Sequence, residues 1–402
     1  MSTYVSEAGE RFGYIPRTAE SWRDPWPMYA SLRDHDPAHH VISGDYWVLS
    51  RFDDVFAAAR DTATYSSAQG LTFHYGERET AGIDEISPMV MMDPPDHTEF
   101  RRMVGRGFTP RHVAEIEPMV RSFVVERIEG LRAAGSGDVI AELFKPMPSF
   151  VVAYYLGVPP RDWGRFDGWT AGIVAANASG DVLSAGDAVG ELFEYFTDLI
   201  AQKRNDPGDD TISALVATGE TDVPILKVLG FCFTMVTGGN DTTTGLLGVG
   251  AELLTRHPDQ RQKLLDDPTL IDGAVEEMLR LAAPVQGLAR TTTREVQLHG
   301  RTIPEGRKVM LLYASANRDP RQFGPTAEEF EVDRQIGTIM SFSYGAHHCL
   351  GAAAARLQAK VALVELLARC PRFAVDHDAG VFAPGNFVRR YETLPFVADA
   401  GL

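Results

Sequence analysis

From Pro224 to Arg256 the chain carries one helical pattern of about 30 residues, where helices in globular proteins average about 11 or 12. Its flanks, 226–236 and 246–254, are apolar, and its centre reads Gly238-Gly239-Asn240-Asp241-Thr242-Thr243-Thr244. That centre is a poor helix former: each glycine costs about 1 kcal/mol relative to alanine, and Asn, Asp and Thr compete for backbone hydrogen bonds. The pattern predicts a helix that continues on both sides of a local bulge or widening, a distortion that recurs at functional sites. The glycines leave space there for a small ligand and let the backbone approach a flat one.

The rest of the chain also reads as mostly helical. Helical patterns cover 53–60, 110–133, 182–205, 268–281 and 352–370, separated by turn formers such as Asn205-Asp206-Pro207-Gly208 and Pro384-Gly385-Asn386. Strand signals are short: 46–50, 308–313, and a small hairpin over 296–303 that turns at His299-Gly300. The expectation is a mainly α protein with small β-sheets. No Gly/Ser-rich or Pro-rich linker and no internal repeat divides the 402 residues, so 1–402 reads as a single domain. A net charge of −17 argues against nucleic acid as a partner, since phosphate binding needs a basic footprint. Three cysteines cannot form a disulfide framework and suit a reducing compartment. Residues 1–11 are polar and no run reaches about 18 apolar residues, so the expectation is a soluble, cytoplasmic protein with no membrane contact.

Ahead of the last long helical pattern stands Phe342-Ser343-Tyr344-Gly345-Ala346-His347-His348-Cys349-Leu350-Gly351. A cysteine on a glycine-punctuated loop, directly before a helix start with its unpaired N–H groups, has a thiolate favoured by the positive dipole end. Four alanines, Ala352 to Ala355, leave the next turn without bulk, so a wide planar group can lie against it. Zinc is a poor fit, because three consecutive residues do not converge on one tetrahedral ion and no spaced Cys/His pair completes a shell. Cys232 and Cys370 sit in helical patterns with no such turn and read as buried small hydrophobes.

The ten residues fit Phe-x-x-Gly-x-x-x-Cys-x-Gly, and on this motif the chain resembles the cytochrome P-450 family of haem-thiolate monooxygenases; many members carry Gly where this chain has Ser343. The resemblance implies the triangular, helix-rich fold of that family and a haem b whose iron is ligated by Cys349, with Ser341, Phe342, Gly351, Gly239, Thr242, Thr243 and Leu288 against the haem. The helix centre matches the family's Gly-Gly-x-Asp/Glu-Thr motif, which makes Asp241 and Thr242 the catalytic acid and alcohol; reductive cleavage of dioxygen consumes two protons, and a hydroxyl that both donates and accepts suits their delivery. In this reading Asp241 connects to solvent. Burying the two haem carboxylates requires donors, and the family positions for them fall on Arg101, Arg290, His347 and His97. Glu277 and Arg280 match the family's Glu-x-x-Arg pair, with Arg334 as the expected third member of a buried structural network. Leu71, Phe73, Met89, Met235, Val285 and Phe387 occupy family pocket positions and imply a hydrophobic small-molecule substrate. Oxygenation with O2 further implies a ferredoxin-type redox partner and its reductase. A haem-based sensor or binding protein and a peroxide-driven oxygenase are the alternatives.

One local charge runs against the acidic balance. Arg101, Arg102, Arg106 and Arg111 fall close together, and Arg102, Arg106 and Arg111 are candidates for docking an acidic electron-transfer protein.

Overall fold

The computed structural model describes residues 13–80, 88–166, 168–169, 186–216 and 223–401. Its main helices are α1 Trp26–His35, α2 Phe52–Arg60, α3 Asp96–Val104, α4 Pro110–Glu115, α5 Glu117–Ala134, α6 Pro146–Tyr155, α7 Gly186–Asn205, α8 Ile225–Arg256, α9 Pro258–Asp266, α10 Ile271–Ala282 and α11 Ala352–Arg369. The expected 110–133 helix is two helices, because Pro118 lies in the first turn of α5 and cannot supply the N–H that would join it to α4. The 182–205 pattern is helical from Gly186; residues 182–185, and 81–87 in the loop expected to line the substrate pocket, lie outside the described residues.

Helical spacing explains the packing. Val120, Val124, Ile128 and Leu131 repeat along one face of α5, all fully buried against a core to which α11 contributes Ala362 and Leu366. Burying each such side chain is worth about 1.5–3 kcal/mol. The second helical cluster holds Phe100 of α3, Val152 of α6, Phe196 of α7 and Phe231, Cys232 and Val236 of α8.

The largest sheet has five strands: β1 Ala38–Val41, β2 Tyr46–Leu49, β3 Tyr65–Ser66, β4 Leu288–Thr292 and, after the antiparallel hairpin β5 Val296–Leu298 and β6 Arg301–Ile303, β7 Lys308–Leu311. The spatial order is β1-β2-β7-β4-β3, with β2 parallel to β7 and the other neighbours antiparallel. Near the end of the chain β8 Val381–Phe382 pairs with β9 Tyr391–Thr393. The small strands expected over 46–50, 308–313 and 296–303 are all present.

The long helix departs from expectation at its centre, where α8 keeps regular α-helical pairing over all 32 residues. The polar side chains join the ladder instead of breaking it. Thr237 donates to the Phe233 carbonyl, Asn240 to Val236, Thr242 to Gly238 and Thr244 to Asn240, each one turn back. Among the described residues the π-helical turn is elsewhere, at Ile140–Phe144.

Candidate functional site

The loop that carries Cys349 is fixed from two sides. Its own turn closes with the Cys349 N–H on the Phe342 carbonyl at 2.9 Å. Gly345 adopts φ +71°, and a Cβ there would lie 3.1 Å from the Ala59 carbonyl of α2, so only glycine suits the position. Gly351 has ordinary backbone, and a Cβ on it would stand 4.0 Å from the Cys349 sulfur. Ser343 takes φ +55°, the left-handed conformation a glycine would adopt without strain, and accepts a hydrogen bond from the Tyr313 hydroxyl at 3.1 Å. Phe342 is half-buried beneath the Arg356 guanidinium, 4.6 Å from its ring centre.

Behind the loop, Glu277 and Arg280 are fully buried and paired twice, at 2.7 and 2.8 Å, and Arg334 reaches Glu277 at 3.1 Å. Arg280 also donates to the carbonyls of Asn317 and Ala327, so its charge is satisfied on several sides. Asn317 carries this network forward: its side chain accepts from the Met340 N–H at 2.6 Å and donates to Ser341 Oγ at 2.8 Å. Ser341 in turn donates to the Leu279 carbonyl. The sequence reading missed Asn317 and Tyr313; the polar Asn in an apolar strand-to-helix stretch was the available signal.

Cys349 keeps an exposed surface although protein atoms crowd around it. Burial pushes its thiol above the ordinary value, against the Gly351 N–H and the charges of Arg101 and Arg356. The helix start alone therefore does not produce a thiolate here; a metal cation would.

Beside it four donors converge. His97 and His347 rings lie 4.2 Å apart. His97 is buried, and neither of its ring nitrogens has a hydrogen-bond partner. Arg290 is 2% exposed, donates within the protein to the Ala289 carbonyl, and meets no carboxylate among the described residues. Arg101, on the same helix as His97, donates to the His348 carbonyl. Burial, then Arg290, His97 and Arg101, push His347 down to about 2, and burial with Arg101 lowers His97, so both imidazoles are neutral at pH 7. Ser67, 3.2 Å from His347 Nε2, is held by its N–H on Asp93. A buried donor without an acceptor is costly; His97 is one, and carboxylates entering here would satisfy it and pair the charges of Arg290 and Arg101. A soft, open sulfur beside an acceptor-poor cluster of cationic and neutral donors fits a haem: Cys349 for the iron, the cluster for the propionates.

The centre of α8 is less buried than its flanks. Gly238 is exposed, with nothing within 4 Å of where a Cβ would stand, whereas Gly239, expected at the cofactor, faces Val152 of α6, where a Cβ would approach to 2.5 Å. Gly239 thus serves helix packing, and Gly238 supplies the open space. Thr242 is partly exposed and Thr243 buried. Asp241 is not simply open to water. Its carboxylate pairs with Arg390 Nε at 2.8 Å; burial raises its pKa while Arg390 and Lys145 oppose the rise. Arg390 reaches it because Gly245, one turn on from Asp241, admits the neighbouring backbone: a Cβ there would lie 2.8 Å from the Arg389 carbonyl.

The expected substrate residues divide. Val285 bridges to Val388, the Gln286 N–H meets the Phe387 carbonyl, and the Ala289 N–H meets the Leu71 carbonyl at 2.7 Å, which gathers Val285, Leu288, Phe387 and Leu71 near the start of β4. Met89 is buried with Phe100 and Val236, and Met235 packs on the same cluster. Phe73 goes elsewhere, stacked on Tyr46 of β2 at 4.9 Å.

Two other features fall outside the site. A cleft of about 780 Å³ has among its lining Trp26, Lys263 paired with Asp333, and Arg318 paired with Glu328. The one group of metal-ligand side chains among the described residues, His112, Glu115 and Asp209, is on the surface and excludes Cys349. Of the arginine patch, Arg102 is exposed, Arg111 pairs with Glu115 at 2.9 Å, and the Arg106 side chain lies outside the described residues. No described helix is long and apolar enough to cross a membrane.

Comparison with known proteins places this geometry. The profile of the family Cytochrome P450 matches residues 187–380. Cytochrome P450 130 of Mycobacterium tuberculosis is 60% identical over 389 residues, covering 94% of this chain and 96% of that protein. A vitamin D(3) 25-hydroxylase of Pseudonocardia autotrophica is 35% identical, covering 93% and 94%. Among solved structures, cytochrome P450 PksS of Bacillus subtilis superposes with a TM-score of 0.87 at 28% identity, covering 96% of this chain and all of that one.

Proposed function

We propose, given that this chain belongs to the cytochrome P450 family of haem-thiolate oxidoreductases, that Cys349 ligates the iron of a haem b and that the protein inserts one oxygen atom of O2 into a hydrophobic small molecule. The observation that carries the reading is the meeting of an open Cys349 with His97, whose two ring nitrogens are unpartnered, and the carboxylate-free Arg290. Bound there, the haem supplies dioxygen activation, which no side chain can perform, and a thiolate ligand favours O–O cleavage.

The chain's own residues do the remainder. Arg290, Arg101, His347 and His97 fix the cofactor's carboxylates, and the Glu277–Arg280–Arg334 network holds the Cys349 loop through Asn317. Thr242 Oγ1 donates and accepts, and Asp241, paired with Arg390, is the acid that supplies its proton. Leu71, Met89, Met235, Val285, Leu288 and Phe387 exclude water and favour an apolar substrate, in keeping with a relative named for hydroxylating vitamin D3. Electrons come singly from a ferredoxin-type partner and its reductase, docking at the face of Arg102. The protein works as one domain in the cytoplasm.

The test is the carbon monoxide spectrum of the reduced protein. Wild type should show the red-shifted Soret band of thiolate ligation, and Cys349→His should lose it; a histidine-type band in folded wild type overturns the assignment.

A further inference from the structure

Asp241 shares its partner. Arg390 gives Nε to Asp241 at 2.8 Å and Nη1 to Glu392 at 2.5 Å, and Lys145 Nζ stands 3.5 Å beyond, on Glu392. The line runs from the interior outward: the side chain of Arg390 is 5% exposed, that of Asp241 18%, and those of Glu392 and Lys145 are 40% and 36% exposed. A guanidinium stays protonated in proteins, so Arg390 passes no proton itself. Its influence is through charge. Paired with one carboxylate only, a buried guanidinium holds that carboxylate ionised, because protonating it leaves a buried cation unpaired. With two, Asp241 can take up a proton while Arg390 keeps Glu392. Two carboxylates and two cations cancel; once Asp241 is protonated the network carries one positive charge, which water can screen at the exposed Lys145 end.

We propose that Glu392 is a positioning residue for the proton chemistry of Asp241: by sharing Arg390 it lets the acid exchange its proton without stranding a buried cation. The charged groups that act on Asp241 are Arg390 and Glu392 from the β9 segment and Lys145 from the turn before α6, and burial of Asp241 works in the same direction as Glu392, toward the protonated form. The inference rests on the reading of Asp241 as proton donor, but its first test does not.

That test follows the protonated-carboxyl stretch of the ferric holoenzyme by infrared difference spectroscopy across pH, the band being assigned to Asp241 by its absence in D241N. Glu392→Gln leaves Arg390 one partner and should lower the Asp241 midpoint by about one pH unit, a tenfold change in proton affinity. Arg390→Gln should raise it, and Glu392→Asp, which keeps the carboxylate, should restore the wild-type midpoint. An unchanged midpoint in E392Q, or a shift that E392D shares, overturns the proposal. The second readout is peroxide released per O2 consumed, expected to rise several-fold in E392Q at alkaline pH and to recover as pH falls. If midpoints move as stated while neither E392Q nor D241N changes the leak, the coupling stands and the donor role of Asp241 falls.

Discussion

Tyr313 donates its hydroxyl hydrogen to Ser343 across 3.1 Å, and Ser343 meets it from a left-handed backbone, φ +55°, within the loop that presents Cys349. The conformation costs a residue with a Cβ about 1–2 kcal/mol, and the hydrogen bond returns about 0.5–1.5 kcal/mol. Ser343→Gly relieves the first but, like alanine, leaves the buried Tyr313 hydroxyl unpaired, so the two effects largely offset and it should be about 1–2 kcal/mol more stable than Ser343→Ala. Ser343→Ala keeps the strain and leaves the buried Tyr313 hydroxyl unpaired, for a loss of about 1–3 kcal/mol. Denaturant unfolding of the haem-loaded variants measures both; an alanine variant as stable as the glycine one would remove the strain.

Glu277→Gln should be far more damaging. It withdraws the carboxylate that joins the buried Arg280 to Arg334, which keeps Glu331, and breaking the buried Glu277–Arg280 pair costs about 3–5 kcal/mol. The expected outcome is a sharp drop in folded, haem-bearing protein, read as Soret absorbance per protein; normal yield and Tm would show that the network is dispensable.

Arg290→Gln should release haem faster than wild type, by an order of magnitude or so, with the thiolate spectrum unchanged while haem remains bound, since the lost interaction is to a propionate. Transfer of haem to an excess of apomyoglobin gives the rate. An equal rate would separate Arg290 from the propionates.

Thr242→Ala removes a hydroxyl that, among the described residues, donates to the Gly238 carbonyl. Haem content and fold should be preserved, while a larger share of reducing equivalents appears as peroxide. Unaltered coupling between electron consumption and product would end the proton-delivery role.

Asp241 also leaves a mark on stability. Burial raises its pKa in the folded state above the unfolded 3.8. The folded protein then binds the proton more tightly, so this contribution is fully present at and below about pH 4 and is lost as pH rises through the folded pKa. Asn does not titrate. The Tm of wild type relative to D241N should therefore decline as pH rises above about 4, and a difference that grows would reverse the sign.

Much of this was legible in the residues themselves. The long helix was expected over 224–256 and spans Ile225–Arg256, and the Glu277, Arg280 and Arg334 positions do meet. Periodicity reports such elements because it is local. It failed at the helix centre, since whether Thr242 and Thr244 break the ladder or join it depends on side-chain rotamers that composition does not encode. The contact of Gly239 with Val152 was hidden for a related reason: nothing near it in sequence tells that α6 packs on that face. Arg390 was invisible because an Arg-Arg dipeptide beside a three-residue strand has no periodic signature, and its meaning comes from Asp241 far away in the chain.

The glycines at 245 and 248 of α8 leave bare backbone where Arg389 and Tyr391 come to rest, and Glu252, further along that helix, accepts the Tyr391 hydroxyl from 139 residues away. Contacts of that sequence separation form late, after the loop-closure entropy has been met by nearer ones. During synthesis the helix emerges long before the strand that seals it. The Asp241 carboxylate therefore has no counter-ion from this strand until translation passes residue 390, and an intermediate lacking the strand would hold that acid neutral or hydrated.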